Sequence, residues 1–186
     1  MPTSLLQKSI SRVFPNNTFA TFIEVLFLLG IGMLGILLHA KLRMPMHMPG
    51  RQGLLFVAII VMGKGMSRFS YAATISGIGA ATLLLIPGLG FHDPFMAVIY
   101  MFLGILMDGA SGFVSRLTSR QWILAVVCGA CWVFIPLFRL MLSLVVDMPL
   151  GAFRSGYFYP VATHLLFGIA GGLIAAGILS LTGKKS

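Results

Sequence analysis

The chain has 186 residues, of which 58% are hydrophobic and only 9% charged, with a mean hydropathy of +1.00. An ordinary soluble domain carries about one quarter charged residues, so a water-soluble globule is excluded. The 13 Lys and Arg against 4 Asp and Glu give a net charge of +9. These cations stand singly or in pairs between long apolar runs, as in short membrane loops, whereas a nucleic-acid face needs them clustered along one element.

A helix crossing ~30 Å of hydrocarbon needs about 20 residues. The apolar runs predict an all-α integral membrane protein, a single membrane domain over 1–186 with six transmembrane helices at 19–38, 53–67, 71–90, 94–114, 122–146 and 161–181. The first run is too long for a cleavable signal, starts well inside the chain and leads into Lys41 and Arg43 without a small-residue cleavage site. The second run is short because its apolar stretch stops at Lys64; it either ends on snorkelling Lys64 and Arg68 or is re-entrant.

With the N-terminus cytoplasmic, eight cations lie inside (Lys8, Arg12, Lys64, Arg68, Arg116, Arg120, Lys184, Lys185) and four outside (Lys41, Arg43, Arg51, Arg154). That bias predicts both termini in the cytoplasm and an even number of spans. The first external loop, 39–53, holds three of the four exceptions and is rich in Pro and Met. Pro45 and Pro49 bar regular helix, so the loop reads as an ordered, irregular link that has to be satisfied by protein or cap a watery cavity. His39, His47, Met44, Met46 and Met48 have the chemistry to hold a soft metal; the reading preferred is a gate whose Arg51 and His47 touch an organic ligand, or methionines that fill the interface. No metal or other cofactor is expected.

The fourth run holds Asp108 and the first Glu24, both read as structural; as proton carriers they would form a thin relay with no intramembrane His or Lys beside them. In the fifth run, Cys128 and Cys131 share a helical face among apolar neighbours, which suits packing better than redox chemistry. Beyond them Pro136 loosens the backbone and Arg139 lies deep in an apolar stretch. A matching depth for His164, early in the sixth run, predicts one outer cavity lined by Arg139 and His164 and closed by Arg51 and His47. Such a cluster suits a ligand with a carboxylate or another anionic group. Phe153, beside Arg154 in the last external loop, is a candidate stacking partner, while Tyr157 and Tyr159 fit an interfacial belt. No nucleophile elbow, metalloprotease helix or P-loop occurs, so an enzyme is not expected and any use of ATP falls to a partner.

The order of features resembles a known family. A proline-rich external loop runs into Gln52 and a short second span ending in Gly63. A glycine-rich third span follows, then a fourth ending in small residues, and a last span reading His164-Leu-Leu-Phe-Gly-Ile-Ala-Gly-Gly172. This is similar to the substrate-binding S components of energy-coupling-factor (ECF) transporters, above all the biotin-type and related vitamin subunits. The resemblance implies a six-helix protein of a bacterial or archaeal cell membrane that captures a vitamin-like micronutrient from outside. It also implies delivery through a transmembrane coupling subunit and cytoplasmic ATPases. One feature departs from the family: small residues four apart on the first helix, a docking face in S components, are replaced by Gly30, Gly32 and Gly35 at other spacings. The four-residue spacing of Gly168 and Gly172 reads as packing within the bundle. A stand-alone proton-coupled carrier, an accessory subunit of another membrane complex and a metal-handling membrane protein are the alternatives.

Overall fold

The computed structural model describes residues 17–41, 48–86, 89, 93, 95–118, 120–146, 156 and 158–183. Among them helix is the sole repeating element: α1 (Asn17–Lys41), α2 (Gly53–Met66), α3 (Ala72–Leu84), α4 (Met96–Ser115), α5 (Gln121–Ala130), a 3-10 turn (Cys131–Val133), α6 (Phe134–Val146) and α7 (Phe158–Gly183). Four segments are long and apolar enough to cross a membrane: Thr18–Lys41, Met96–Ser115, Gln121–Val145 and Phe158–Thr182. The helices α2 and α3, of 14 and 13 residues, are shorter apolar elements. At 1.5 Å per residue they reach only ~20 Å.

Two sequence details set these lengths. The third run was expected to extend to residue 90, but α3 ends at Leu84, three residues before Pro87, and a proline disfavours helical backbone in the residue before it. In the fifth run the helix tightens into a 3-10 turn at Cys131–Val133. Pro136 has no N–H for the Trp132 carbonyl four residues earlier and its ring crowds that carbonyl, so the chain tightens one turn ahead of the proline.

Successive helices run up and down. Glu24 early in α1, Lys64 late in α2 and Asp108 late in α4 meet the turn between α2 and α3 at one end, hereafter the clamp end. His39, Gly50, Tyr100 and His164 gather at the opposite, loop end. In cross-section α1 packs on α3, α3 on α4, α4 on α5, α5 on α7, α7 on α2 and α2 on α1, closing a ring. The closest crossings fall within two trios, α1–α3–α4 and α2–α5–α7. Glycine permits them: a Cβ on Gly32 or Gly79 would strike the backbone across the α1/α3 crossing, and Gly129 and Gly168 lie backbone to backbone between α5 and α7. Gly171 and Gly172 likewise pack on α2 and α5, so the glycines of α7 serve the bundle, as the sequence suggests.

The core between the trios holds Leu28, Ile36, Phe56, Ile60, Tyr100, Leu103, Met107 and Trp132, all essentially buried. The outer surface carries many large apolar side chains, with Phe22, Leu26, Leu34, Phe102, Phe113, Leu144 and Leu166 exposed. Water does not tolerate so continuous an apolar surface, and a lipid sheath does. Helix lengths and surface together fit a multi-pass membrane protein.

Candidate functional site

At the loop end, Phe56 from α2, Tyr100 from α4 and Trp132 from the 3-10 turn form a buried aromatic floor. Phe56 meets Tyr100 edge-on at 4.8 Å between ring centroids, and Trp132 lies 5.3 Å from Phe56 and 5.9 Å from Tyr100. Such geometries add stabilisation beyond burial alone. The 3-10 turn positions Trp132 so that its indole Nε1 donates to the Gly50 carbonyl at 3.2 Å. That carbonyl also accepts the Gly53 N–H at 2.8 Å, so the end of the loop between α1 and α2 is fastened to the floor as α2 begins. Gly50 has φ +79°, and a Cβ there would lie 2.7 Å from the His164 ring; both facts demand glycine.

Four basic side chains, each part-exposed, belong to this end: His39, Arg51, Arg139 and His164. His164 stacks on Trp132, with centroids 6.3 Å apart and planes 25° apart. Its Nδ1 lies 2.7 Å from the Pro160 carbonyl, which can only accept, so the bond assigns the proton to Nδ1 and leaves Nε2 of the neutral ring as an acceptor. His39 Nδ1 lies 3.3 Å from the Tyr100 hydroxyl, and Arg51 and Arg139 are both within electrostatic reach of His39. Arg139 is also within reach of His164. Arg139 Nη2 donates to Asp93 Oδ2 at 2.8 Å and contacts Met96 Sδ at 3.1 Å, while its buried Nε has no hydrogen-bond partner among the described residues.

Of the residues expected at this site, the fold brings Arg51, Arg139 and His164 together, joining three elements distant in sequence. His47 and Phe153, with Met44, Met46, Arg154 and Tyr157, lie outside the described residues. Sequence reading missed Trp132, Tyr100 and Asp93. Trp132 looked like one more apolar residue of the fifth run, and its signal was its place four residues before Pro136. Asp93 precedes a helix and left no periodic trace, yet it takes up part of the Arg139 guanidinium fork. Two permanent cations, Arg51 and Arg139, stand at this end, and Asp93 pairs with Arg139. Among the described residues no three His, Cys, Asp or Glu side chains converge as a metal site.

The clamp end is built around two buried carboxylates. Asp108 accepts from the Thr74 N–H at 2.6 Å, the Thr74 hydroxyl at 2.7 Å and the Ala73 N–H at 3.2 Å, and it is ion-paired with Lys64. Glu24 accepts from the Ser67 hydroxyl at 2.7 Å and the Arg68 N–H at 2.9 Å, with Arg68 Nε at 3.0 Å. Both hold the turn between α2 and α3, in the structural role read from sequence. Two expectations change. Lys64 and Arg68 turn inward to these carboxylates, where the sequence left a choice between snorkelling cations and a re-entrant segment, because a buried carboxylate is costly without a partner. A lysine also stands directly beside Asp108, where none was foreseen.

Both thiols are free; Cys128 and Cys131 contact backbone carbonyls of Met107 and Val127, and Cys128 also meets Ser111, contacts that suit packing. No protein-family model matches the chain, and no curated protein or solved structure was found to be similar to it.

Proposed function

We propose that the chain is the substrate-capture subunit of an ECF-type importer, an S component, for a small vitamin-like organic anion. All six segments, namely α1, α2, α3, α4, the continuous α5–α6 unit and α7, cross the membrane in this reading, with both termini and the clamp end in the cytoplasm and the loop end outside. The observation that carries it is the gathering of Arg51, Arg139, His39 and His164 around a buried aromatic floor to which the first loop is fastened. Permanent cations recognise the anionic group, the imidazoles supply further polar contacts, and the aromatic layer suits a planar body. The eight-to-four split of cations supports the orientation, and a sequence without a P-loop supports energy coupling by partner ATPases.

Affinity capture of the tagged chain from its own membrane, followed by mass spectrometry, tests this reading. The expected result is co-purification of a transmembrane coupling protein with a pair of ATPases. Reconstituted alone, the chain should bind its solute without concentrating it. The Lys64–Asp108 pair favours one rival, a stand-alone proton-coupled carrier. Solute accumulation by the isolated chain under a proton gradient would establish that rival.

A further inference from the structure

A cavity of about 280 Å³ opens toward the clamp end, between α2, α4, α5 and α7; Val61, Lys64, Ser111, Gln121, Leu124 and Cys128 contribute to its lining. A wider groove of about 690 Å³ shares Lys64, Ser111 and Leu124 with it and extends to Ser115 and Arg116 at the end of α4. The smaller cavity is close to the ~300–1,000 Å³ range of small-molecule sites and has their makeup, an apolar wall with a few convergent polar groups. We propose that it is a second binding site, for a small organic anion seated on Lys64.

The charge distribution carries the inference. Asp108 is answered by the Ala73 and Thr74 amides in the first turn of α3, where the helix end adds partial positive charge, so its charge is balanced without relying on Lys64 alone. Lys64 donates to Asp108 and to the Ser70 carbonyl at 3.0 Å. An ammonium has three protons, so one remains for the cavity that Lys64 lines. Over cavity and groove, Lys64 and Arg116 stand against Asp108, an excess of one positive charge. Gln121 supplies an amide and Ser111 a hydroxyl oxygen, while Val61, Leu124, Ala125 and Leu179 offer an apolar wall. Resting on the orientation proposed above, the site is the station at which a captured anion waits on the cytoplasmic side before release.

The experiment uses the full chain in nanodiscs, where both faces are open, so its result depends neither on orientation nor on partner proteins. In the Cys131→Ala background, Cys128 is modified with a methanethiosulfonate carrying a sulfonate or with one carrying trimethylammonium, each rate normalised to a free thiol. Leu124→Cys in a chain lacking both native cysteines is a second, less buried reporter. The expected result is an anion preference of about tenfold at the reporter thiols, removed by Lys64→Gln. Pentanesulfonate should slow labelling in phosphatidylcholine discs. Equal or cation-favouring rates, thiols silent at both positions, or a preference that survives Lys64→Gln would overturn the site. So would protection by phosphatidylglycerol without protection by pentanesulfonate, which would assign the cavity to a lipid headgroup.

Discussion

Asp108→Asn changes one oxygen to an amide group and tests the clamp most sharply. The carboxylate has four donors: Lys64 Nζ, the Ala73 and Thr74 amides, and the Thr74 hydroxyl. An asparagine keeps one acceptor oxygen and sets its NH2 against groups that also donate. It leaves Lys64, whose side chain is 19% exposed, without its counter-charge. Breaking one side of a buried pair costs about 3–5 kcal/mol, and the partial exposure of Lys64 places the expected loss near ~3 kcal/mol. Lys64→Met should cost less, roughly 1.5–3 kcal/mol, because Asp108 keeps its three other donors and the end of α3. At ~2–4 °C per kcal/mol for a chain of this size, Asp108→Asn should lower the melting temperature by about 6–12 °C. The fraction of monodisperse protein left after heating, read by size-exclusion chromatography, provides the assay. A melting temperature for Asp108→Asn within about 2 °C of the parent, or a greater loss for Lys64→Met, would refute the clamp as described.

Gly50→Ala combines a left-handed backbone with a Cβ 2.7 Å from His164. It should cost roughly 1–3 kcal/mol and shift the Trp132 emission to the red in a Trp122→Phe background as the Gly50 carbonyl leaves the indole. Gly168→Val forces the α5 and α7 backbones apart and should abolish recovery of monodisperse protein, whereas Gly112→Val, which meets open space, should behave as the parent in size-exclusion chromatography. Arg139→Met should weaken binding of the captured anion by roughly 2–5 kcal/mol in calorimetry once that anion is isolated. Arg139→Lys should also weaken it, through loss of the planar fork, and unaltered affinity in Arg139→Met would make the residue only the partner of Asp93.

The four long helices were legible because a period-free apolar run of about 20 residues is a strong signal that loops do not share. Even the short second helix was readable, since Lys64 interrupts its run. The inward pairing of Lys64 with Asp108 was not, because it joins residues 44 apart and depends on which helices are neighbours. Arg139, Arg51 and His164 stood out as polar residues within or beside apolar runs, and counting along the helices placed them at one end. Trp132, Phe56 and Tyr100 gave no such contrast, since aromatic residues in apolar runs are common and only the ring of helices brings these three together. The α1–α3 neighbourhood, which skips α2, likewise follows from glycine contacts whose partners sequence spacing does not name.

Native mass spectrometry of the chain extracted gently from its own membrane, beside an Arg51→Ala/Arg139→Met variant of matched thermal stability, tests substrate capture most directly. Capture at the loop end requires that the parent retain a small organic anion and that the variant lose it. A parent carrying no such molecule, or a variant retaining it to the same extent, would contradict it.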